Sequence, residues 1–358
     1  MRKLIDELAA SQQLDKNQLL DLIDHINEED IDYLHQRADK VRKAHYGNKV
    51  YMRGLIEFTN YCTNNCLYCG IRKSNKNVER YRLTEEQILE CCEMGESLGY
   101  RTFVLQGGED PYFTDDKLVT LINQIKTNHP NCAITLSIGE KPYESYKKYY
   151  DAGVDRYLLR HETNSRKLYE SLHPNMSYDN RIRCLKDIKE IGLQVGAGFM
   201  VGLPNQTNED FVNDLLFLKD LNPHMVGIGP FMPQKDTPLK NAQSGTAEMT
   251  YILLSIIRLL LPKVLLPATT ALGSINPKGR ENGLKAGANV VMPNLSPTNV
   301  RDKYLLYDGK ICTGDEAAHC RGCIERRINS AGFAVDMGRG DHVDMNNRKT
   351  TTPFPLSS

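Results

Sequence analysis

From residue 51 onward the chain alternates short runs of β-branched and apolar residues with longer stretches of helical periodicity, and no other feature narrows its fold as much. The runs lie at 55–58, 102–106, 133–137, 157–160, 194–200, 226–229, 264–267 and 289–292. Their interiors are continuously apolar rather than alternating, as strands buried on both faces require. Each gap has room for one helix, so parallel strands joined by crossover helices are expected. Eight such units count out to a closed (β/α)8 TIM barrel. The fold class is therefore α/β, with a barrel at 49–310, an N-terminal helical segment at 1–48, a cysteine-bearing segment at 311–330 and a tail at 331–358. In the first segment Leu4, Leu8, Leu19, Leu20, Leu22 and Ile23 recur at helical spacing, and Asp15 is a candidate N-cap. The tail is polar, carries Arg339, Arg348, Pro353 and Pro355, and is expected to be loosely ordered.

Composition removes several function classes. Hydrophobic residues make up 40% of the 358, enough for a large core. Lysine plus arginine equals aspartate plus glutamate at 45 each, which gives no electrostatic case for nucleic acid or an anionic membrane. The longest apolar stretch, 251–261, contains Arg258 and is too short to span a bilayer, so it reads as a buried helix. Charges interrupt the first seven residues, unlike a signal peptide. Ten cysteines without such a signal point to a reducing, cytoplasmic setting where thiols stay free to bind metal.

In a TIM barrel the C-terminal strand ends build the active site. Here the unusual polar residues fall just past those ends: Cys62 to Cys69, then Gln106-Gly107-Gly108-Glu109-Asp110, Ser137 and Glu140, Arg160-His161-Glu162-Thr163, Thr269-Thr270 and Met292-Pro293-Asn294. Polar groups converge on one mouth.

The run Cys62-Thr63-Asn64-Asn65-Cys66-Leu67-Tyr68-Cys69 has C-x3-C-x2-C spacing. A disulfide framework would leave one of these cysteines over, and a zinc site would lack a fourth ligand. Three thiolates can hold three irons of a [4Fe–4S] cluster and leave the fourth open. The run resembles the signature of the radical SAM enzymes, which cleave S-adenosylmethionine (SAM) at that open iron. The resemblance implies a radical SAM type of barrel with catalytic, metal-holding Cys62, Cys66 and Cys69. It further implies that Gly107, Gly108 and Glu109 meet the methionine ammonium, that Glu162 and Arg181 hold ribose and methionine carboxylate, and that Tyr68 and Met200 flank the adenine. Arg160 and Tyr304 join this cofactor set. His161 reads as a structural hydrogen-bonding residue, and no Ser-His-Asp or Cys-His arrangement competes for catalysis.

Beyond that loop the chain resembles one family, the [FeFe]-hydrogenase maturases HydE. The likeness runs over about residues 3–328 and is carried by Ile56-Glu57-Phe58-Thr59-Asn60-Tyr61-Cys62, Val104-Leu105-Gln106-Gly107-Gly108-Glu109, Arg156-Tyr157-Leu158-Leu159-Arg160-His161-Glu162-Thr163, Val201-Gly202-Leu203-Pro204, Pro267-Ala268-Thr269-Thr270-Ala271 and Gly287-Ala288-Asn289-Val290-Val291-Met292-Pro293-Asn294. What it implies is a 5′-deoxyadenosyl radical acting on a small organometallic substrate, an Fe(CO)2(CN)–cysteine unit bound for the di-iron H-cluster. Guest contacts would come from Gln106, Thr135, Met225, Thr269, Thr270, Met292 and Tyr307, with other maturation proteins and an electron donor as partners. Gly108 departs from the family where some relatives carry serine, which leaves one polar contact open. Cys312, Cys320 and Cys323 match cysteines that bind an accessory cluster, often [2Fe–2S]. A zinc site with His319 is the competing reading, and it strains the loop because His319 and Cys320 are neighbours. Cys91, Cys92, Cys132 and Cys184 read as packing residues. Since none of them would point into the barrel, biotin synthase, which builds a second cluster there, is disfavoured. A methylornithine synthase-like or, less favoured, biotin synthase-like radical SAM enzyme and a non-catalytic iron–sulfur scaffold remain as alternatives.

Overall fold

The computed structural model describes residues 1–314 and 316–348. Parallel strands Gly54–Thr59, Thr102–Gly107, Ala133–Ser137, Arg156–Leu158, Gln194–Ala197 and Met225–Val226 pair in sequence order. Parallel bridges then join Met225 to Leu265 and Pro267 to Val290. Val290–Val291 pairs with Tyr51 and Met52 on the strand Lys49–Met52, which leads into Gly54–Thr59. The ring is closed, as eight buried runs predict. Its seventh member is held by bridges and by the bonds from Val226 N to Leu265 O and from Ala268 N to Val290 O, 3.0 and 2.9 Å.

Helices pack the outside because their starts are capped and one face is apolar. Thr84, Thr114 and Thr207 each accept a bond from the third helical amide, satisfying a donor that has no partner inside the helix. Asp15 caps Lys16–His25 in a capping box with Gln18, as expected from the sequence. The helix Ala247–Leu260 is buried at every position from Thr250 to Leu260 and packs against Glu28–Tyr46. Arg258, inside that apolar run, donates to the carbonyls of Gly287, Pro262 and Val264 and so closes the helix end. No helix among the described residues is long and apolar enough to cross a membrane.

The described residues of the tail, 331–348, depart from the expected loose order. Ala334–Asp336 pairs parallel with Lys49, Val50 and Tyr51, and the chain then crosses the N-terminal end of the barrel. There Arg156 binds Asp341 at 2.5 Å, Gln194 Nε2 donates to the same carboxylate at 2.8 Å, and Arg53 donates to Gly340 O at 2.9 Å. Arg339 reaches Asp155 at 2.6 Å. The physical reason is charge. Arg53 and Arg156 are buried at the floor, and the tail supplies the oxygens that make this burial tolerable. Arg348 ends the turn Val343–Arg348, whereas Pro353 and Pro355 lie outside the described residues.

Burial works to raise the Asp341 carboxyl, but Arg156 and Arg339 outweigh it and hold the group well below the usual carboxylate range. A carboxyl depressed in the folded state contributes stability above its unfolded pKa of about 4, and that contribution is lost as pH falls through the folded value. Asp341→Asn is expected to cost about 3 kcal/mol or more at neutral pH in urea titrations. The gap to the parent should shrink as the pH drops below about 4. An unchanged urea midpoint at pH 7 would rule out the floor network as a stabilising element.

Candidate active site

The cysteine loop has almost no regular secondary structure and is fixed by polar side chains that bind backbone. Arg80 donates to the carbonyls of Asn60, Ile71, Arg72 and Asn75. Asn60 Nδ2 donates to Glu79 O and Lys303 O at 2.8 and 2.7 Å. Arg72 Nε donates to Asn65 Oδ1 at 2.9 Å, bracing the turn between Cys62 and Cys66. The three thiols are half-buried. Burial pushes the Cys66 thiol up to about 12 and raises Cys62 and Cys69 as well, so without a cation the set stays protonated. An iron centre would reverse that preference. Among the described residues no three His, Cys, Asp or Glu side chains converge as ligands of one metal ion. A four-iron cubane spaces its thiolates more widely than a single ion does.

Behind the loop sits the glycine pair. Thr63 N donates to Glu109 O at 3.0 Å, stitching the two loops together. A Cβ on Gly108 would lie 2.1 Å from Tyr61 O and 2.7 Å from Cys62 Cβ. Serine therefore does not fit at 108 without moving the cysteine backbone. At Gly107 the nearest obstruction is the Thr59 methyl, 2.7 Å away, on a side chain.

Charged groups alternate across the mouth. Glu162 holds φ +67, a left-handed conformation that non-glycine residues adopt rarely and mostly where structure demands it. Arg160 Nη2 binds its carboxylate at 2.5 Å. Burial works to raise Glu162, and the Arg160 guanidinium outweighs it, so the group sits below its ordinary range. Arg181 pairs with Glu140 at 2.7 Å, not with Glu162, and donates to Arg160 O at 2.9 Å. Glu140 N donates to Glu109 Oε1 at 2.9 Å. Glu140 is thus the hub that sequence reasoning left without a role; its place past the third strand was the available signal.

Tyr68 packs beside Leu168, Leu172, Met200, Leu203 and Phe231, an apolar cluster next to the cysteines. Its hydroxyl lies 2.7 Å from His173 Nε2, while His173 Nδ1 lies 2.7 Å from Tyr169 O. Burial pulls the His173 imidazole down to about 4, so it is neutral at pH 7. Nδ1 then carries the proton toward the carbonyl, and Nε2 accepts from Tyr68. Nothing in the sequence announced His173. His161, buried between Gly198 N and Asp214, is structural as expected.

Deeper in the barrel, Gln106 Nε2 lies 3.4 Å from the Tyr304 hydroxyl. The hydroxyls of Thr135 and Thr269 are buried with no hydrogen-bond partner among the described residues. Such orphan groups are costly unless a guest satisfies them. Thr270 accepts from Arg280 at 3.1 Å. Met225 extends toward the floor, where Arg53 Nη1 meets its sulfur at 3.0 Å. Met292 lines a small cavity with Glu57, Lys310, Arg280, Cys312 and Cys320, and burial pushes the nearby Tyr307 phenol up to about 12. Cys320 and Cys323 lie one helical turn apart on Ala317–Ser330, while Cys312, at φ +64, stands beside Cys320.

The sequence model of the Radical SAM superfamily matches residues 56–218. The [FeFe] hydrogenase maturase subunit HydE of Thermotoga maritima is 48% identical over 299 residues, covering 84% of this chain and 85% of the relative. The chain belongs to the HydE family. A 3-methylornithine synthase of Methanosarcina acetivorans is 32% identical over 298 residues, covering 83% of this chain and 84% of the relative. The crystal structure of methylornithine synthase (PylB) superimposes with a TM-score of 0.83 at 28% identity, over 93% of this chain and 97% of that one.

A HydE-family chain is a radical SAM enzyme, and membership brings a [4Fe–4S] cluster and SAM. The residues fit both groups. Three raised thiols share one braced loop, a glycine backbone packs directly behind it, and paired acid and guanidinium groups face it. Cys91, Cys92 and Cys184 lie on helices, and Cys132 Sγ faces Glu96 and Tyr100 O. In this HydE-family protein Gly108→Ser is expected to reduce iron bound per chain after anaerobic reconstitution by at least half, whereas Gly107→Ser retains it. Full iron loading in Gly108→Ser would show that the cysteine loop yields.

Proposed function

We propose that this protein acts in assembly of the di-iron H-cluster of [FeFe]-hydrogenase, by radical chemistry on a cysteine-bearing Fe(CO)2(CN) unit held inside the barrel. The 48% identity to a HydE maturase is the observation that carries the reading. When bound, the cluster and SAM supply a 5′-deoxyadenosyl radical; the chain's own residues bind, orient and shield. Cys62, Cys66 and Cys69 hold the cluster. Glu109, Glu162, Arg160 and Arg181 grip the charged ends of SAM, and Tyr68 with Met200 offers the adenine an apolar slot. Gln106, Thr135, Thr269, Thr270, Met225, Met292, Tyr304 and Tyr307 contact the guest. The unpartnered hydroxyls of Thr135 and Thr269 support this, since a guest with polar ligands would satisfy them. The floor sealed by Asp341 and Gly340 keeps bulk water from the guest's far side.

Cys312, Cys320 and Cys323 hold an accessory [2Fe–2S] cluster with no part in the radical step. His319 and Cys320 are adjacent on one helix, so their side chains diverge by about 100°, which favours the cluster over zinc. Work in the cytoplasm, beside other maturation proteins and an electron donor, follows from the same reading.

Anaerobic protein with dithionite and SAM is expected to release 5′-deoxyadenosine. Cys66→Ala should abolish release, while Cys320→Ala keeps it and lowers only the iron content. In vitro activation of an apo-hydrogenase should then depend on adding the protein. Release of 5′-deoxyadenosine without such dependence would move the assignment toward a methylornithine synthase-like reaction. No release from a fully loaded cluster would leave only a scaffold.

A further inference from the structure

The chain's charges balance overall, but not around the cysteine loop. Residues 72–82 contain Arg72, Lys73, Lys76, Arg80 and Arg82 against the single acid Glu79. Glu79 is taken by Lys303 at 2.5 Å and Arg82 by Asp110 at 2.7 Å, so both of these pairs are neutral. Arg72 and Arg80 are spent on backbone beside the thiols and offset the negative charge that iron-bound thiolates would bring. Lys73 and Lys76 remain. Both are exposed and make no ion pair among the described residues.

Geometry places them at the loop itself. Lys73 N donates to Asn64 O at 2.8 Å, inside the Cys62 to Cys66 turn. Asn77 Nδ2 donates to Asp236 Oδ1 at 2.7 Å, which brings the loop 233–240 alongside with exposed Lys235 and Lys240. Two half-buried acids lie among these four lysines: Asp236, and Asp308, whose carboxylate is spent on Lys235 N at 2.7 Å. On another side of the loop, Arg82 is stacked between Tyr61 and Tyr112, 3.7 and 4.8 Å from the ring centres, and Tyr112 is 49% exposed. Every residue from Tyr61 to Cys69 is at least partly open to solvent, and Thr63 is exposed. Free lysines at the rim of that loop form a surface suited to a protein of opposite charge.

We propose that Lys73, Lys76, Lys235 and Lys240 form the docking surface for an acidic one-electron carrier protein, and that the electron enters through the Cys62–Cys66 turn. The inference rests on the reading that this loop carries a reducible cluster. One electron leaves the carrier's reduced centre, which is oxidised by one unit, and the cluster is reduced by one. The surface acts before the radical step and touches neither SAM nor guest.

The test uses the full chain with its cluster loaded and a purified acidic flavodoxin as the probe. Surface plasmon resonance is expected to show binding at about 20 mM salt that weakens tenfold or more at about 300 mM, where the Debye length is shorter than the lysine rim. Lys73→Glu with Lys76→Glu should weaken low-salt binding at least tenfold. In the same double variant, 5′-deoxyadenosine release driven by reduced flavodoxin should fall to a similar extent, and release driven by dithionite should match the parent. Salt-independent binding, unaltered affinity after charge reversal, or equal competition by a single-stranded RNA oligonucleotide would each overturn the proposal. Should dithionite give no 5′-deoxyadenosine in the parent, the functional reading fails, and the binding arm still reports on the surface.

Discussion

A single guanidinium, that of Arg80, donates to four backbone carbonyls of the segment that carries the cysteines. Everything at the mouth depends on this contact, because the segment has no sheet or helix to hold it. Buried carbonyls need donors, and a bundle of them needs a cation with several donors in a fixed plane. Arg80 meets that need, and Asn60 ties the same segment to Glu79 and Lys303. The cost of confining eight backbone residues is thereby borne before any metal arrives. A loop ordered in advance presents three thiols at one place, where a disordered one would have to lose its freedom on binding.

The barrel divides its polar residues between two ends with opposite tasks. At the floor, buried arginines meet oxygens from the tail, and the arrangement closes the ring against water. At the mouth, charges are paired with one another yet stay within reach of a guest. The tail is therefore a structural part of the barrel, joined to it by Ala334–Asp336 on the first strand. Sequence position alone hides this, since Arg53 and Asp341 stand nearly three hundred residues apart in the chain.

Legibility followed locality. The eight strands could be read because burial on both faces writes a continuous apolar run into each, and Asp15 could be read because capping is settled within four residues. Strand ends were less clear: the run at 157–160 forms a strand only over Arg156–Leu158, since Arg160 turns inward to Glu162. The cysteines stand out by their spacing, and the paired threonines by their place just past the seventh apolar run. Glu140, His173 and Arg80 were not, because their roles depend on partners brought near only by the closed barrel. The order of residues 334–348 is hidden for the same reason. Polar residues suggest solvent until a distant buried charge claims them.

The alternation of charges at the mouth also explains how a zwitterionic guest can be received there. Glu109, Glu140 and Glu162 interleave with Arg160 and Arg181; the Arg181–Glu140 pair is nearly buried, and the Arg160–Glu162 pair is half-buried. A lone charge in that place would be far more costly than a matched pair. With pairs already formed, an ammonium and a carboxylate entering together can exchange partners without leaving any group bare. An entering ligand with only one of those charges would break a pair and strand its partner. The left-handed backbone at Glu162 belongs to the same arrangement, in which its carboxylate pairs with Arg160 two residues earlier. The resting ion pairs thus favour a doubly charged ligand over a singly charged one on electrostatic grounds alone.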